Sequence, residues 1–103
     1  MESFSKYPSE SFTIETDFAD VLATGETITA ATSSVKVYQD NSAETDVSDT
    51  MISGAASVSG TKLRARIQAG TEDLNYFVIF SAVTSDSNTF NNIVKLRVLR
   101  QFG

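Results

Sequence analysis

The side chains best placed for chemistry in this sequence are carboxylates. Asp17 with Asp20, and Glu72 with Asp73, are the close pairs, and paired carboxylates are the machinery of glycoside hydrolysis. Asp40, Glu44, Asp46 and Asp49 fall in one polar stretch, and clustered carboxylates attract hard cations such as calcium. Their spacing matches no EF-hand loop, and a solvated acidic loop is the better account, with calcium binding by Asp40–Asp49 left open at this level. There is no histidine, which excludes Ser-His-Asp triads, imidazole bases and His-ligated metals. There is no cysteine either, which excludes thiolate catalysis and disulfides. Gly25, Gly54, Gly60, Gly70 and Gly103 stand apart, so no phosphate loop or dinucleotide fingerprint forms. The expectation is no enzyme, no cofactor, no metal and no small-molecule substrate.

Charge narrows the partners. The chain has 103 residues and a net charge of −5, which argues against nucleic acid and anionic membranes. Lys62, Arg64 and Arg66 form a basic stripe, but no aromatics interleave with it as a nucleic-acid platform requires. No apolar run reaches the roughly 18 residues of a membrane span, and the N-terminus lacks the pattern of a secretion signal. Residues 1–50 carry ten acidic and two basic groups, and residues 51–103 three acidic and six basic. Either strands from the two halves pair and neutralise each other, or the surface is bipolar and steers docking.

Short strands must position these groups. Phe12, Ile14, Thr16 and Phe18 alternate with Thr13, Glu15 and Asp17, the period of a half-buried strand. Thr27–Tyr38 is β-branched, with Thr32-Ser33-Ser34 predicting a kink between two short strands. Residues 39–49 read as a mobile acidic loop. Ser59-Gly60 predicts a hairpin into Thr61–Gln68, with Leu63, Ala65 and Ile67 inward. Ser85–Asn88 joins Asn75–Ala82 to Phe90–Leu99 in a second hairpin. Residues 1–10 read as an irregular arm preceding a single domain, 11–103.

About seven strands with regular turns and no helical stripe indicate an all-β, immunoglobulin- or fibronectin-III-like β-sandwich of antiparallel strands, a small closed barrel being the competing architecture. The stretch from Ala69 to Tyr76 fits the corner at which such a chain crosses between sheets. Gly70 permits a sharp turn, Leu74 fills the corner, and the Tyr76 hydroxyl is expected to bond backbone within Gln68–Asp73.

Beyond Tyr76 the strand is apolar on both faces. Tyr76, Val78, Phe80 and Ala82 point one way; Phe77, Ile79 and Val83 point the other. A strand apolar on both faces is covered on both, here by the chain's own side chains or by another protein. Phe77, Ile79 and Val83 are therefore candidate interface residues. So are Phe4, Tyr7 and Pro8, isolated apolar residues on the polar arm, expected to anchor on a neighbouring subunit.

Nearly the whole chain resembles small tailed-bacteriophage virion proteins of the fiber–tail adaptor type. The resemblance rests on the order of its parts: "Lys6-Tyr7-Pro8-Ser9-Glu10", then "Asp17-Phe18", "Leu22-Ala-Thr-Gly-Glu-Thr-Ile28", "Gly70-Thr71…Tyr76-Phe-Val-Ile-Phe80" and "Thr84-Ser85…Val94-Lys-Leu-Arg-Val98". "Leu63-Arg-Ala-Arg-Ile67" is more basic than the pattern. The resemblance implies a virion structural protein, made in the host bacterial cytoplasm. Its partners would be other virion proteins, with the chain in several copies per particle, at a head–tail or tail–fiber junction. Capsid decoration is the alternative within that class. A carbohydrate- or receptor-binding sandwich is the alternative outside it, disfavoured by the absence of Trp and the presence of only three Tyr.

Overall fold

The computed structural model describes residues 3–100. Its strands are β1 (Ser3–Lys6), β2 (Phe12–Asp17), β3 (Ser34–Gln39), β4 (Ile52–Ser59), β5 (Lys62–Ile67), β6 (Asn75–Val83) and β7 (Thr89–Val98), with a short helix, α1 (Ser48–Met51), before β4. They form two sheets, β1-β7-β6-β3 and β2-β5-β4, which is an immunoglobulin-like sandwich.

Period-two patterning dictates which faces meet. Ile14 and Thr16 of β2 and Leu63, Ala65 and Ile67 of β5 are buried from one sheet; Val35 and Val37 of β3, Tyr76, Val78, Phe80 and Ala82 of β6, and Val94, Leu96 and Val98 of β7 are buried from the other. Such apolar burial, at about 25 cal/mol per Å², is the main force holding the sheets together. The one buried hydroxyl on this face of β2, Thr16, accepts a hydrogen bond from the Asn92 side-chain amide.

Four expectations need amendment. The strands are not all antiparallel: β1 pairs parallel with β7, from Ser3 opposite Lys95 to Lys6 opposite Val98. The start of the arm is thus a sheet edge, with Phe4 packed against the chain's own core. Thr27–Tyr38 does not form two strands; Ile28 makes an isolated bridge to Thr84 and a turn leads into β3. Finally, the acidic stretch is organised. The Gln39 N–H donates to the Thr45 carbonyl at 2.8 Å, Asp46 bridges to Tyr38, and α1 follows with Met51 buried.

The crossover from β5 to β6 is pinned from several sides. Gly70 has φ +97°, and a Cβ there would lie 2.8 Å from Val98 Cγ2 and 3.1 Å from Met51 Cε, so only glycine fits. Ala69 and Asp73 also adopt positive φ, 56° and 67°, a conformation that persists where surroundings over-determine it. The Thr71 N–H donates to the Tyr76 hydroxyl at 3.0 Å, and Leu74 packs against the core. Lys6, fully buried, donates from Nζ to the carbonyls of Tyr7, Pro8 and Ala69. Three ammonium protons meet three acceptors, tying β1 to the corner. Burial pushes the Lys6 pKa down, partly offset by the Glu10 charge.

Candidate protein-binding face

The two outer faces of the sandwich differ. On the three-stranded sheet, Thr13, Glu15 and Asp17 of β2 lie opposite Arg66, Arg64 and Lys62 of β5. Glu15 sits 3.7 Å from Lys62 and 3.2 Å from Arg64, so acidic residues of the first half meet basic residues of the second within one chain. This face is polar and charge-matched.

On the four-stranded sheet the outward residues form rows across the strands. Tyr38 lies opposite Phe77, which lies opposite Lys95; Lys36 lies opposite Ile79, which lies opposite Ile93. Phe77, Ile79 and Tyr38 are half-buried, and Ile93 is 39% exposed. With Asp40 and Glu44 they line a shallow groove of about 550 Å³. Strand β1 does not roof it. Its outward residues on this face, Ser3 and Ser5, are small, while Phe4 shares the inner face of Leu96. Neighbouring side chains therefore cover part of the apolar row and leave the rest open.

Charge on this face is separated rather than matched. The Asp40 N–H donates to the Asn75 carbonyl at 2.9 Å, and Asn75 lies opposite Arg97. Two strand spacings place the Asp40 and Arg97 backbones about 10 Å apart. Asp40 and Glu44 rim the β3 side, whereas Lys95 and Arg97 project from β7, all four exposed. None of these four is in an ion pair among the described residues. Lys36, also on β3, has the Asp46 charge near it; hydrogen bonds from Ser48, and then Lys36, hold the Asp46 carboxyl below its ordinary range.

The remaining sequence candidates lie elsewhere. Val83 is on the same face as Phe77 but about 20 Å along the strand, beneath the turn where Ser33 Oγ accepts its N–H at 2.9 Å. Tyr7 is 37% exposed and Pro8 half-buried, beside the corner formed by Gly70, Leu74 and Tyr76. One member of each carboxylate pair is engaged structurally. Asp17 accepts from Ala19 N–H and the Thr61 hydroxyl, which together lower its pKa; Asp73 pairs with Arg100 at 2.9 Å. Among the described residues no three acidic groups gather as metal ligands.

Sequence reasoning missed Tyr38, Ile93, Lys6 and Glu26. Tyr38 carried a usable signal, since it shares the parity of Lys36 on a strand whose Val35 and Val37 point inward. Glu26 is buried in the segment Leu22–Ile28, accepting from Ala23 N–H and Asn88 Nδ2, each at 2.9 Å, and from the Thr84 hydroxyl. These bonds, the Thr84 one foremost, hold its carboxyl below the ordinary glutamate range. They fasten the loop before β3 to the β6–β7 turn.

The fold is that of an immunoglobulin-like sandwich, which by itself serves many functions. Residues 6–97 match the family described as podophage GP4 fiber-tail adaptor protein gp77, and the chain belongs to that family. The curated proteins include no match.

Proposed function

We propose that this chain is a non-enzymatic virion component that joins neighbouring virion proteins at the tail–fiber junction, and that the outer face of the four-stranded sheet makes the contact. The observation that carries the reading is the apolar row of half-buried Phe77 and Ile79 and exposed Ile93 beside Tyr38, which the described residues of the chain cover only in part. Aromatic groups at the centre of a desolvated patch carry a large share of binding energy. Family membership supports the adaptor role. The engagement of Asp17 and Asp73 in turn and ion-pair contacts supports a non-catalytic one.

Tyr7 and Pro8, at the corner end, are a separate contact point in this reading; Phe4 contributes by holding the arm to the core. The test is particle incorporation of Phe77→Asp/Ile79→Ser. Exclusion of a folded variant from particles is the expected result. Normal occupancy would remove the face from the proposal.

A further inference from the structure

The charge layout of this face specifies its occupant. Acidic groups, Asp40 and Glu44, lie on one side of the apolar row, and basic groups, Lys95 and Arg97, on the other. A surface of this kind is complementary to itself. Turned over about an axis running along β6, the acidic side of one copy lies above the basic side of the other. The same rotation keeps each row at its own height, so Asp40 of one copy meets Arg97 of the other, because both belong to the row through Asn75. Phe77 and Ile79, on the axis, meet their own counterparts. An axis across the strands would instead set acid against acid. From this we infer that the four-stranded sheet pairs with the same sheet of a second copy of the chain. The contact is isologous and has its two-fold axis along β6.

The inference rests on the reading of this face as a contact surface and names the partner as the chain itself. Two sheets stacked face to face sit about 10 Å apart with strands nearly aligned, within reach of long side chains from both. A two-fold contact uses one patch twice, so two Asp40–Arg97 pairs form, and the apolar centre is shielded from water between them. Lys36, the basic group on β3, falls over the aliphatic Ile93 of the other copy and lays its stem there. The three-stranded sheet cannot pair this way, because its acids and bases already neutralise each other within one copy.

Charge reversal on exposed positions tests this with little risk to folding. Lys95→Glu/Arg97→Glu makes both sides of the apolar row acidic apart from Lys36, and Asp40→Lys/Glu44→Lys makes both sides basic. Each is measured by sedimentation equilibrium, with circular dichroism and thermal melting as folding controls. The wild type is expected to dimerise, and each variant to lose at least about tenfold in self-affinity. An equimolar mixture of the two variants is expected to dimerise again, since every cross-contact is then attractive. Variants that dimerise like wild type, or a mixture that stays monomeric, would overturn the inference. A monomeric wild type would also overturn it, and particle incorporation then separates the two readings. If Phe77→Asp/Ile79→Ser is excluded from particles, a different virion protein occupies the face and the adaptor reading stands. If that variant is incorporated normally, both fail.

Discussion

Acidic residues from the first half of the chain come near basic residues from the second on both faces of this sandwich, with opposite outcomes. On the three-stranded sheet β2 and β5 are adjacent, so Glu15 reaches Lys62 and Arg64 directly. On the four-stranded sheet β6 intervenes between β3 and β7. Asp40 and Arg97 are held apart with Asn75 between them, and Phe77 and Ile79 follow it along the same face of β6. One inserted strand thus converts an internally neutralised face into an apolar centre with separated charge. Strand order, rather than composition, decides which face is open to another protein.

The largest expected effect breaks this asymmetry at its centre. Phe77→Asp/Ile79→Ser should weaken association by about 3 kcal/mol or more, as truncation of central contacts does, while the equivalent disturbance on the other face, Thr13→Asp, should leave association unchanged. Sedimentation of each purified variant checks both.

Next is the tie that holds β1 to the corner. Lys6→Met removes three donated hydrogen bonds and leaves the carbonyls of Tyr7, Pro8 and Ala69 without that donor. The expected cost is about 2–3 kcal/mol, read by urea denaturation, with faster amide exchange confined to β1 and the corner. Tyr76→Phe, at the same corner, should cost about 1 kcal/mol, since one hydrogen bond to a backbone N–H is lost from a packed ring. Neither change should alter which face associates.

Much of this was legible in the sequence. Alternation in Phe12–Phe18, Leu63–Ile67 and Tyr76–Ala82 reports burial directly, because a strand's side chains switch faces at every residue. Gly70 and Tyr76 mark the corner because a tight turn and a hydroxyl reaching back to it are local features. What the sequence did not disclose is non-local. Asp40 and Arg97 are far apart along the chain and become a pair of flanks only through strand order. Lys6 reads as a solvated charge on a short polar arm. Its burial depends on carbonyls from Tyr7, Pro8 and a corner turn more than 60 residues later. Ile93 falls within the expected strand Phe90–Leu99, but only the β6–β7 register places it beside Ile79.

Acid sharpens the contrast between charges that hold the fold and charges held in reserve. The Glu26 carboxyl is below its ordinary value in the folded chain. It therefore contributes stability above the unfolded pKa that is lost as pH falls through the folded one. Glu26→Gln should flatten the acid limb of a melting-temperature profile, with little effect near neutrality beyond the changed hydrogen bond. The smallest effect belongs to the matched face. Glu15→Ala should cost about 1 kcal/mol or less, diminishing with salt, as exposed ion pairs do, and thermal melts at low and high ionic strength measure it.

The central claim is that the four-stranded face, and not the three-stranded one, is covered by protein. Lysine labelling read by mass spectrometry compares them in one experiment, because Lys36 and Lys95 lie on the first and Lys62 on the second, all exposed. In the Phe77→Asp/Ile79→Ser variant, expected to be monomeric, all three should react. In assembled particles Lys36 and Lys95 should lose reactivity while Lys62 keeps it; protection of Lys62 with Lys36 and Lys95 still reactive would contradict the account.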